Sequence, residues 1–138
     1  MVVAGLLLGF GVNALSPNPL SLTYQPRVTP ETWPSVTLEQ MQEFVAEGSA
    51  LFMDARNPED FEKGHILNAI NLPSDFFGEY FMEVGEGLPR QEIPLIVYCQ
   101  GDPCDQSHIV LDHLKAVGFT NLWIYLGGWN EWSRHETN

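Results

Sequence analysis

Positive charge is scarce in this chain: six Lys+Arg stand against 18 Asp+Glu, a formal net charge of −12. Nucleic acid and anionic membrane surfaces both require a basic face, so neither is expected as the main partner. Cysteine is nearly absent, and two residues are too few for a disulfide framework. Charge of either sign is missing before Arg27, which divides the chain into a neutral head and an acidic body. Internal repeats and low-complexity tracts are lacking as well. What is present suits one folded domain. A hydrophobic content of 44% and an aromatic content of 12% exclude disorder, and 138 residues allow one core of ordinary size.

Residues 1–15 form the apolar head; from Val2 to Leu15 only Asn13 is neither apolar nor glycine. As a helix, 2–15 would reach about 21 Å, short of the roughly 30 Å hydrocarbon core. Three readings stay open. The run is a short membrane anchor, a signal segment with Val12-Asn13-Ala14 as a small-residue cleavage site, or a buried helix. The anchor lacks length, the signal lacks a basic start, and the helix lacks a polar face. Either of the first two places the body on or across a membrane, so a membrane-anchored or exported protein is expected. Residues 16–36 hold Pro17, Pro19, Pro26, Pro30 and Pro34 and read as an extended tether.

The body, 37–134, alternates helical and strand patterns. Thr37-Leu38-Glu39-Gln40 is a capping box opening a helix whose apolar face is Leu38, Met41, Phe44 and Val45, with Gly48 as its stop. Ala50 to Met53 is a buried strand ending at Asp54. Asn57-Pro58 opens a second helix, which closes at Gly64. Ala69 to Leu72 is a strand ended by Pro73, and Phe76 to Val84 is an aromatic-rich helix. A loop follows over 85–94. Leu95 to Tyr98 is the strongest strand, Ser107 to Val117 a helix, Leu122 to Leu126 a last strand, and Trp129 to Arg134 a short helix. Strands alternating with helices predict an α/β domain with a parallel sheet covered on both faces.

In such a sheet, sites form in the loops after the carboxyl ends of the strands. Cys99 stands there, and Gln100, Gly101, Asp102, Pro103, Cys104, Asp105, Gln106 and Ser107 lead from it into a helix. A loop of this shape turns backbone N–H groups inward, and the helix start adds partial positive charge; both stabilise a thiolate or a bound anion. On position alone a buried structural cysteine fits as well as a reactive one.

Leu51-Phe52-Met53-Asp54-Ala55-Arg56, Phe61-Glu62-Lys63-Gly64-His65-Ile66 and Ala69-Ile70-Asn71-Leu72-Pro73, in that order, resemble the first signature of the rhodanese (sulfurtransferase) family. Val97-Tyr98-Cys99, a loop and helix, Gly118-Phe119, and Leu126-Gly127-Gly128-Trp129 with Trp132 resemble its second. The similarity spans about 37–132. It implies a rhodanese-like, five-stranded, mostly parallel sheet with helices on both faces. It also implies that Cys99 is a nucleophile carrying sulfane sulfur as a persulfide from a small or protein-bound donor to a thiol acceptor, with no cofactor. A rhodanese fold used only for binding is the competing expectation.

The loop departs from the common family pattern. It is two residues longer than usual, Gln106 stands where arginine is frequent, and Asp102 and Asp105 replace basic or neutral residues. Two carboxylates disfavour a thiolate and repel a dianion such as thiosulfate, so a less anionic donor is expected. The sixth residue after Cys99 is Asp105, so the Cys-x5-Arg pattern of phosphatases is absent and no loop arginine is available for phosphate. Cys104 has three possible roles: disulfide partner, resolving thiol, or incidental loop residue. The pairing reading makes the domain a Cys99/Cys104 thiol–disulfide redox protein.

Arg56 and Asp54 read mainly as a brace, with anion attraction by Arg56 left open. His65 reads as a hydrogen-bonded structural residue, and Trp129 and Trp132 as packing. His108 and His113 are five apart, a poor spacing for shared ligation, so no metal site is expected.

Overall fold

The computed structural model describes residues 32–136. The anchor or signal reading of 1–15 and most of the tether, 16–31, lie outside the described residues. Among the described residues, no helix is long and apolar enough to cross a membrane.

The predicted elements form close to their expected bounds. Helix α1 (Leu38–Glu47) starts at Thr37, whose hydroxyl accepts from the Gln40 N–H while the Gln40 side chain accepts from the Thr37 N–H. This closes the capping box, and Gly48 ends the helix in the left-handed conformation. Strand β1 (Leu51–Asp54) follows, then α2 (Pro58–Lys63), capped by the Asn57 side chain on the Asp60 N–H. Strand β2 is short (Ile70–Asn71), and a 3₁₀ turn (Ser74–Phe76) leads into α3 (Phe77–Val84). Strand β3 (Leu95–Tyr98), α4 (Gln106–Ala116), β4 (Leu122–Tyr125) and α5 (Gly128–Glu136) complete the chain.

All strand pairings are parallel, in the order β2-β1-β3-β4, with Met53 opposite Val97 and Val97 opposite Ile124. Among the described residues the sheet has four strands, not the expected five. Beside β4 the described chain adds a single bridge from Ser35 to Ile124, in which the Val36 N–H donates to Ile124 and the Ile124 N–H to Pro34. Pro34 has no N–H of its own, so the ladder cannot continue through it. Val36 is buried, so the last residues assigned to the tether belong to the body.

Side chains alternate across the sheet and feed two cores. Met53, Leu95, Val97, Leu122 and Ile124 pack with Phe77 of α3 and with Val110, Leu111 and Leu114 of α4. Phe52, Ile96, Tyr98 and Tyr125 pack with Met41 of α1 and Trp132 of α5. All four residues of β3 are buried, as a strand covered on both faces requires. Burying a side chain such as Ile96 contributes about 1.5–3 kcal/mol.

Candidate active site

Strand β3 ends at Tyr98, and Cys99 follows as a member of the α4-side core, 3% exposed. The loop then turns outward. Gln100, Asp102, Pro103 and Asp105 are exposed, Gly101, Cys104 and Gln106 are half-buried, and Ser107 is buried again in the first turn of α4. The Ser107 hydroxyl lies 3.4 Å from Cys99 Sγ, where it donates to the sulfur. In any α-helix the first N–H groups lack intrahelical acceptors, so the start of α4 adds partial positive charge beside Ser107.

The loop is anchored from below. The Trp129 N–H donates to the Cys99 carbonyl at 2.9 Å, the Asn130 N–H to the Gln100 carbonyl at 2.8 Å, and the Asp102 N–H to the Leu126 carbonyl at 3.0 Å. Two donors of the first turn of α5 are therefore satisfied by loop carbonyls. The Gln100 amide also donates to Asn130 Oδ1. Gly128 makes the approach possible: its φ is +60°, and a Cβ there would stand 2.5 Å from the Cys99 carbonyl oxygen. Sequence reasoning noted the Gly127-Gly128 pair but not Asn130.

Arg56 and Asp54 form a buried pair behind the loop. The guanidinium donates to both Asp54 oxygens, with Nη2 at 2.7 Å from Oδ2, to the Gly64 carbonyl at 2.6 Å and to Gln100 Oε1 at 3.4 Å. It also lies 5.2 Å from the Trp129 ring centroid. Burial pulls the Arg56 pKa down, but the hydrogen bonds and charge of Asp54 outweigh it and hold the group above its ordinary value. Arg56 thus ties β1, the Gly64 turn and the loop together, the bracing half of the expectation. Asn71 adds to the brace, donating from Nδ2 to the Asp54 and Arg56 carbonyls. His65 Nδ1 lies 2.8 Å from the Phe61 carbonyl and its ring stacks on Phe61.

Cys99 and Cys104 are joined by a disulfide, their Cα atoms 6.7 Å apart. Of the roles open to Cys104, the structure takes the pairing. In that bond neither sulfur is a free thiol. Beside the start of α4, a water-sized hollow is lined by Ala55, Asn57, Pro73, Ser74, Asp75, Phe76 and Gln106. That lining has one carboxylate and no cation. A wider cleft of about 550 Å³ opens under the loop, lined by Gly101, Asp102, Leu126, Gly127, Asn130, Glu131 and Arg134. Among the described residues, no three His, Cys, Asp or Glu gather as a metal site.

Curated relatives and solved structures are similar to this chain. The chain is 32% identical over 114 residues to a tRNA uridine(34) hydroxylase of Photorhabdus laumondii, covering 81% of this chain and 31% of the relative. It is 35% identical over 97 residues to the protein of the same name from Hamiltonella defensa, covering 69% and 26%. The chain thus spans about a third or less of the curated relatives it matches. The human single-domain sulfurtransferase TSTD1 superposes with a TM-score of 0.62 at 21% identity, covering 75% of this chain and 97% of that one. BH2092 of Bacillus halodurans gives 0.66 at 21% identity, covering 75% and 73%. The rhodanese-like domain family matches residues 37–135. A parallel sheet with Cys99 at the end of β3, cradled between the starts of α4 and α5, is thus the centre of a chain that belongs to the rhodanese-like domain family.

Proposed function

We propose that the reduced domain moves sulfane sulfur through a persulfide on Cys99. The observation that carries this is the seat of Cys99: buried at the end of β3, beside the first turn of α4, with the Ser107 hydroxyl 3.4 Å from its sulfur. Such a seat favours a thiolate and then a persulfide anion. The Cys99 thiolate attacks the outer sulfur of a donor R–S–SH, the donor S–S bond breaks, and R–S⁻ leaves. An acceptor thiolate then attacks the outer sulfur of the persulfide and restores the Cys99 thiolate. No electrons are exchanged overall.

The donor is less anionic than thiosulfate. Asp102 and Asp105 stand exposed in the loop, Arg56 is turned to Asp54 and Gly64, and Gln106 stands where the family pattern often has arginine. The curated relatives are named for a tRNA uridine. A net charge of −12 opposes a polyanion, so RNA is not assigned to this chain as a substrate. A thiol–disulfide redox function is the second reading, supported by the Cys99–Cys104 bond. The first fifteen residues would hold the domain at a membrane or direct its export.

The test is intact-mass spectrometry of reduced protein after incubation with glutathione persulfide, polysulfide or thiosulfate. In reduced Cys104→Ser, where no second thiol is present, transfer predicts one added sulfur on Cys99 from the first two donors and little from thiosulfate. It also predicts no added sulfur in Cys99→Ser. No added sulfur with any donor, even in a variant lacking Cys104, would leave the redox or binding readings.

A further inference from the structure

Two cysteines occur in the chain, and the structure bonds them to each other across the loop that holds the nucleophile. Their environments differ. Cys99 is 3% exposed and sits against the Ser107 hydroxyl, whereas Cys104 is half-buried at the edge of the same core. The Cα separation of 6.7 Å lies within the span that a disulfide bridges, at its upper end. Only five residues separate the two in sequence, so the second thiol meets the first at a high effective concentration, of order millimolar or more.

We propose that Cys104 is the resolving residue of this site, so that the domain reduces sulfane sulfur to sulfide instead of only relaying it. The inference rests on the Cys99 persulfide reading above. The Cys104 thiol loses its proton to water, and its thiolate attacks the inner sulfur of Cys99–S–SH. The Cys99–Cys104 bond forms, the bond to the outer sulfur breaks, and HS⁻ leaves. The outer sulfur gains two electrons, and the two cysteine sulfurs together lose two. A dithiol reductant, small or protein-borne, completes the cycle by becoming a disulfide itself.

The difference in burial sets the direction of that last step. An incoming thiolate reaches the half-buried Cys104 sulfur, and Cys99 departs as the thiolate beside Ser107 and the start of α4. A leaving thiol of lower pKa leaves faster. The nucleophile is thereby restored in its reactive form, still shielded within the loop. The loop residues that oppose a dianionic donor do not hinder this chemistry, because a thiol persulfide brings less charge to the site.

The full chain is reduced with dithiothreitol, freed of reductant without oxygen, and given one equivalent of glutathione persulfide. Intact mass, a peptide map and released sulfide are then read. Wild type is expected to release one sulfide per chain, to lose two hydrogens and to retain no added sulfur. Cys104→Ser is expected to keep one sulfur on Cys99, to release no sulfide, and to pass the sulfur on as an acceptor persulfide when excess thiol acceptor is added. Cys99→Ser, as the control, releases none. Wild type that retains sulfur as Cys104→Ser does, or carries it on Cys104, overturns the resolving role and leaves persulfide transfer standing. Failure of Cys104→Ser to take up sulfur, with its circular dichroism unchanged, overturns both.

Discussion

The Trp129 N–H donates to the Cys99 carbonyl at 2.9 Å, so the last helix begins on the backbone of Cys99 itself. This contact explains the glycine immediately before it. A chain that must lay a helix start against a loop carbonyl has no room for a Cβ at the residue of closest approach, and Gly128 is that residue.

Gly128→Ala is expected to cost about 2–5 kcal/mol, combining left-handed backbone strain with a contact that must give way. Gly48→Ala is the comparison. Gly48 shares the positive φ of +63° but has open space around it, so about 1–2 kcal/mol is expected. Urea unfolding of both variants checks the difference. Slower alkylation of reduced Cys99 in Gly128→Ala alone would show that the loop has moved.

Arg56→Met leaves the Asp54 carboxylate buried without its cation, and a loss of about 3–5 kcal/mol is expected. Arg56→Lys recovers little, because one ammonium cannot serve Asp54, Gly64 and Gln100 together. A double change, Arg56→Met with Asp54→Leu, recovers part of the loss. The remainder persists because the Arg56 N–H, which donates to Asp54 Oδ1, loses its acceptor. Denaturation midpoints of the three variants decide this.

Tyr98 is fully buried, and burial first, then the Asp54 charge, raises its pKa above the ordinary value. Its hydroxyl accepts from the Ile66 N–H at 3.1 Å. The folded state therefore holds the phenol proton more tightly than the unfolded chain does. The associated stability is complete below about pH 10 and is lost as pH climbs from there towards the folded-state pKa, by about 1.4 kcal/mol per unit. Stability curves measured across that range should fall more steeply for wild type than for Tyr98→Phe.

Asp102 and Asp105 are exposed, so their field is screened by water and salt. Replacing both with Asn is expected to raise kcat/KM for thiosulfate on the order of 3–10-fold at low ionic strength. The gain should shrink at high salt and be smaller for a monoanionic persulfide donor. Steady-state assays with the two donors at two salt concentrations check it. An equal gain for both donors would assign the effect to loop shape instead of charge.

Much of the fold was legible because its signals are local. Thr37 and Gln40 sit three apart and close their own box, and Asn57-Pro58 caps a helix one turn long or more. Leu95 to Tyr98 carries no polar residue except at its end, and a strand covered on both faces needs none. The short β2 and the bridge at Ser35 were harder to read. Strand length depends on which neighbour is present to pair with, and that neighbour lies far along the chain.

The sequence by itself determined the alternation of helices and strands, and the place of Cys99 at the carboxyl end of the central strand. Local propensity, capping and side-chain period fix these within a few residues. Only the tertiary structure decided that Arg56 braces Asp54, Gly64 and Gln100, that Asn130 and Trp129 hold the loop, and that Cys104 pairs with Cys99. Each of these depends on distance and direction between side chains or backbones that sequence order leaves free. Pairing of the strands and the approach of α5 to the loop set those distances.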